Sequence, residues 1–66
     1  MRLTELWWRL EETFGPAYAA SVARDQVLPE LGGRTINQAL AEGEDVAVVW
    51  RGVVEAYPDR VPARIR

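Results

Sequence analysis

The sequence predicts an all-α fold, a small bundle of three main helices plus one short helix in a single domain, on three observations. Thr35-Ile36-Asn37-Gln38 has the form of a capping box, in which the Thr35 hydroxyl accepts from the amide three residues on and Gln38 reaches back to the amide of Thr35. Val46, Val49, Trp50, Val53 and Tyr57 recur at helical spacing along one face. Gly15-Pro16, Gly43 and Pro58 stand where helices should end or begin.

The first helix is expected over about 3–14, with Thr4 as its cap and Leu3, Leu6, Trp7, Leu10 and Phe14 as its apolar stripe. Glu5 and Arg9 are placed to pair at i,i+4, and with Glu12 they mark the wet side. Gly15 closes this helix and Pro16 opens the next, over about 16–28, where Tyr18, Ala19, Ala20, Val22, Ala23 and Val27 form a wide apolar arc. Arg24, Ser21 and Asp25 are left on a thin polar strip, so this helix should lie centrally.

Pro29 to Arg34, with Gly32 and Gly33 adjacent, is the loop of greatest backbone freedom. A short helix follows over 36–42, ended by Gly43, and Asp45 caps a last helix over 46–57. On that helix Arg51 and Glu55 are spaced to pair opposite the core face. Its valine content favours a strand and Gly52 costs about 1 kcal/mol in a helix interior. A strand, however, would scatter Val46, Val48 and Trp50 against Ala47, Val49 and Arg51 without separating apolar from polar. The expected core is Leu6, Trp7, Leu10, Phe14, Val22, Val27, Leu31, Leu40, Val49, Trp50 and Val53. Residues 58–66 form a short basic tail, with Val61 docked and the last residues frayed.

At 66 residues there is room for one domain, and its margin of stability is small. The absence of cysteine leaves packing or self-association to hold it. No apolar run reaches the length of a membrane span, and charges in the first turns argue against a signal peptide, so the expected location is the cytoplasm. A net charge of −2 excludes indiscriminate coating of nucleic acid, though not a local basic patch. All eight basic residues are arginine, with abundant alanine and valine, as a GC-rich coding bias produces.

Histidine and cysteine are both missing, which removes the commonest general base, the thiol nucleophile and the usual zinc ligands together. Glu42, Glu44 and Asp45 straddle a helix end without the spacing of a calcium loop. The chain is therefore expected to be no enzyme and to use no cofactor or metal, and no small-molecule substrate is evident. Trp8 stands apart from the stripe of its helix, between Thr4, Glu5, Glu11 and Glu12. Either another segment, such as the tail, covers it, or it lies flat over the charged stems as single exposed apolar residues ordinarily do, or it anchors a partner, since tryptophan is enriched among binding hot spots.

Arg34, beside two glycines and a helix N-terminus, is a candidate anion contact; the alternative is a turn in which it pairs with an acid. Arg60, Arg64 and Arg66 are candidate nucleic-acid contacts if the tail is a loose arm. Residues 35–57 also have the outline of a helix-turn-helix, but the second helix opens with Glu44, Asp45, Val46, Ala47 and Val48, which would repel phosphates.

Met1-Arg2-Leu3-Thr4-Glu5, Phe14-Gly15-Pro16-Ala17-Tyr18-Ala19, Ala23-Arg24-Asp25, Leu31-Gly32-Gly33-Arg34-Thr35, Ala39-Leu40 and Val49-Trp50-Arg51 together resemble a family of short actinobacterial proteins of unknown function (DUF3046-like). The resemblance spans nearly the whole chain. It implies a small cytoplasmic protein encoded near RecA and RecX, hence by analogy a link to DNA recombination or repair, and it supplies no functional residues. In that family the position of Trp8 is usually polar, so a contact through Trp8 would be particular to this chain. The leading expectation is a non-enzymatic module that binds another protein or itself through a patch including Trp8. The alternative is an accessory nucleic-acid binder.

Overall fold

Backbone geometry decides first where the helices stop. The computed structural model describes residues 1–66, and its order is α1 (Leu3–Phe14), α2 (Ala19–Asp25), a 3-10 turn at Pro29–Leu31, α3 (Ile36–Ala41), α4 (Val46–Ala56) and a 3-10 turn at Ala63–Ile65. There is no strand; Leu28 and Arg34 form one isolated bridge. The all-α class and the four helices in their order are as the sequence predicts.

The capping box of α3 forms in full: Gln38 N–H donates to Thr35 Oγ1 at 3.1 Å, and Thr35 N–H to Gln38 Oε1 at 2.8 Å. At its other end Glu44 N–H reaches Ala39 O at 3.0 Å across Gly43, a Schellman closure. Asp45 then caps α4 by accepting from Ala47 N–H at 2.8 Å. At α1 the expected cap is wrong by two residues. Arg2, not Thr4, is the half-in residue, and Glu5 reaches back to its amide at 3.4 Å.

α2 is shorter than expected at both ends. Pro16 to Tyr18 make a turn, with Tyr18 and Ala19 N–H both donating to Gly15 O, so the helix begins at Ala19. Downstream, Pro29 forces Leu28 into extended geometry (φ −111°, ψ 119°), and the helix has already ended at Asp25. That early end turns Val27 outward, 59% exposed, and sends Leu28 inward in its place. Of the expected arc only Ala19 and Ala23 are buried, with Val22 half-buried. The small side chains let α2 pack closely on α1 and α3.

The segment 28–34 is a closed loop rather than a slack one. Leu28 N–H donates to Arg34 O, Gly33 N–H to Leu28 O, and Gly32 N–H to Pro29 O, at 2.9–3.0 Å. Gly32 and Gly33 both have positive φ (69° and 76°), which lets the chain reverse within two residues. The loop drives Leu31 into the flank of α4, where Gly52 is buried. A Cβ on Gly52 would overlap the Leu31 Cδ2 methyl and lie 3.1 Å from its Cγ. Gly52 is thus the gap that Leu31 fills.

The core joins Leu6, Leu10 and Phe14 of α1, Ala19 and Ala23, Leu28 and Leu31, Ile36 and Ala39 of α3, and Val49, Trp50 and Val53 of α4. Val61 and Ile65 complete it. Trp7, Val22 and Leu40, expected inside, are only partly buried and pack against its rim. The tail docks through two side chains, Val61 at 3% and Ile65 at 7% exposure, so Ile65 is seated where frayed last residues were expected, while Pro58 to Arg60, Ala63, Arg64 and Arg66 stay exposed. Its anchor is Arg9 of α1, which donates to Ile65 O at 3.1 Å and lies 5.6 Å from the Trp50 ring centroid. Arg9 therefore does not pair with Glu5, because a backbone carbonyl and an aromatic face offer it more in a half-buried place. No ion pair joins Arg51 and Glu55 either.

Two substitutions test this packing. Gly52→Ala gains about 1 kcal/mol of helix propensity but overpacks Leu31 by about 1–3 kcal/mol. The net should be a loss of about 1 kcal/mol, seen as a fall in Tm; a rise would show that Leu31 yields freely. Ile65→Ala should cost about 2 kcal/mol in urea unfolding, whereas a loose arm would leave stability unchanged.

Candidate interaction surface

Trp8 sits on the second turn of α1, and at about 100° per residue it projects from the side opposite Leu6, Leu10 and Thr13. Burial follows the geometry: those three are buried and Trp8 is 51% exposed. The neighbours one helical turn away are Thr4, Glu5, Glu11 and Glu12. Glu12 is occupied, accepting from Arg64 at 2.8 Å. Glu11 has no partner. The surface is an indole in a carboxylate frame.

A second feature lies where α1 ends, α2 begins and the tail leaves α4. Phe14, Tyr18, Val22, Gln26, Tyr57 and Arg60 line a cleft of about 460 Å³. Tyr18, Val22 and Gln26 follow one another at i,i+4 along one face of the α2 region. The Phe14 and Tyr57 rings meet edge to face, centroids 5.0 Å apart at 82°. Arg60 lies over the Phe14 ring at 5.2 Å from its centroid and makes no ion pair. Tyr18, expected on the apolar arc of the second helix, is instead 69% exposed at the mouth, because the turn at Pro16 starts the helix after it.

Of the remaining arginines Arg2 and Arg51 make no ion pair, and the others near the loop, the tail and α2 are engaged at home. Arg34 donates Nε–H to Leu31 O at 2.8 Å, Nη1 to Glu42 and Nη2 to Glu44, both at 2.9 Å. Hydrogen bonds to Glu42 and Glu44 hold its guanidinium above the ordinary arginine range. Of the two sequence readings of Arg34, the geometry is that of a turn clamp: the two acids occupy the face an incoming anion would need. Arg64 is on Glu12, Arg66 Nη2 donates to Pro58 O, and Arg24 pairs side-on with its neighbour Asp25. Arg60, Arg64 and Arg66 do not gather into one basic face free of acids.

The cleft is what sequence reasoning missed. Its only trace there is the Tyr18-Val22-Gln26 spacing, which reads equally well as a core stripe; nothing local brings Tyr57 and Arg60 beside it. No three acidic side chains converge to hold a metal ion. No helix is long and apolar enough to cross a membrane.

No curated protein and no solved structure matches the chain. A family model does, over residues 1–64, and it covers the four helices and most of the tail. With that match across nearly its full length, the chain belongs to the family described as protein of unknown function (DUF3046).

Proposed function

We propose that this chain is a non-enzymatic protein-interaction module of the cytoplasm and that Trp8 is its anchor. The observation that carries the reading is the position of Trp8. The indole, the largest of the exposed apolar side chains, stands half-exposed on the face of α1 turned away from the core. Covering the rest of it in a partner's pocket is worth on the order of 2 kcal/mol. That suffices to make one residue a hot spot. The residue inventory supports the same reading, since a chain without histidine or cysteine lacks the usual nucleophile, base and orienter.

The accessory nucleic-acid reading has less support. Arg34 and Arg64 already hold carboxylates and Arg66 a backbone carbonyl, and releasing them would cost those contacts before any phosphate was gained.

Trp8→Ala should leave thermal stability within about 0.5 kcal/mol of the parent, as surface substitutions do, and should remove a protein contact. A pulldown with parent and variant, combined with sedimentation of each, checks this. If captured proteins and sedimentation are the same for both, Trp8 is no anchor. A gel shift at low salt is expected to show no stable complex with duplex or single-stranded DNA.

A further inference from the structure

The cleft and the Trp8 face are complementary in chemistry: each is aromatic and the two carry opposite unpaired charges. The cleft has an aromatic floor and walls, Phe14, Tyr57 and Tyr18, with Arg60 and Gln26 at its lip. Its volume of about 460 Å³ falls in the range of sites that enclose a bulky apolar group. Arg60 is held on the Phe14 ring and, like Arg2 and Arg51, has no carboxylate, whereas Arg24, Arg34 and Arg64 each have one; of the unpaired ones it is Arg60 that lines the cleft. The Trp8 face supplies what is missing there: a large indole with Glu11 beside it, a carboxylate without a partner.

The two features cannot meet within one molecule. Trp8 and Phe14 are six residues apart on the same rigid helix, about 9 Å along its axis and about 120° around it. The indole therefore points away from its own cleft. From this we infer that the occupant of the cleft is Trp8 of a second copy of this chain, with Glu11 of that copy meeting Arg60. This rests on the reading of Trp8 as an anchor and names what it anchors to. The indole enters edge-on beside Phe14 and Tyr57, the arrangement their own edge-to-face pair already shows. One aromatic anchor with one charged contact makes a small interface, so the association is weak, with Kd on the order of 0.1–1 mM.

The experiment uses the full chain. Sedimentation and proton–nitrogen NMR are followed from about 10 μM to about 1 mM, a span that brackets that affinity. The expected result is a rising average mass, weakened by added salt, with concentration-dependent shifts in the Trp8 indole N–H and the amides of Tyr18, Val22 and Gln26 together. Trp8→Ala and Arg60→Glu should each stay monomeric throughout. Tyr18→Ala serves as a second cleft variant, at an exposed position, in case reversal at Arg60 harms folding.

An equimolar mixture of Trp8→Ala, which keeps the cleft, with Arg60→Glu or Tyr18→Ala, which keeps the tryptophan, should associate again. A parent chain monomeric at about 1 mM, variants that self-associate as the parent does, or an inert mixture would each overturn the inference. A monomeric parent whose captured proteins still depend on Trp8 sinks the self-contact alone. Indifference of both assembly and capture to Trp8 sinks the anchor reading with it.

Discussion

The close approach of the Pro29–Leu31 turn to α4 is the constraint on which the rest of the molecule depends. Leu31 occupies the space that any side chain at position 52 would need, so a glycine that weakens α4 as a helix is the condition for closing the core on that flank. The turn that delivers Leu31 is set in turn by Pro29, which ends the run from α2, and by two consecutive glycines at positive φ. Arg34 then ties the loop to Glu42 and Glu44 at the end of α3. One steric gap, one reversal and one clamp thus fix how the first half of the chain meets the second.

The C-terminal residues are the other half of the closure. Val61 and Ile65 finish a core that four short helices leave open, and the polar contacts around them run between tail and α1: Arg9 to Ile65 O, Arg64 to Glu12. The same contacts shape the surface. They hold Arg9 and Arg64 against the molecule, while Trp8 stays half-exposed and Glu11 and Arg60, among other surface charges, have no ion pair.

The expectation for α2 failed in an instructive way. Periodicity alone counted Tyr18 and Val27 as two ends of an apolar arc, which holds only if helical geometry runs unbroken from Pro16 to Leu28. Local backbone geometry broke it: the turn after Gly15 delays the start, and the chain turns extended already at Gln26 (φ −88°, ψ 115°), three residues before Pro29. Both residues then rotate out, and Tyr18 becomes a wall of the cleft. Leu28, Ile36 and Ala39 take the vacated interior, none of which stood out by hydrophobic spacing within its own short segment.

What the sequence determined by itself are the features set within one turn of chain. These are the Thr35–Gln38 box, the Asp45 cap, the helical stripe of Val49, Trp50 and Val53, and the outward direction of Trp8. Each rests on residues no more than a few positions apart, where spacing and geometry are equivalent. Tertiary structure alone decided the fit of Leu31 to Gly52, the docking of Ile65, the partners of the arginines and the existence of the cleft. Those depend on which distant side chains arrive at the same place, and an exposed arginine has no local preference strong enough to announce whether it will meet an acid, a carbonyl or a ring.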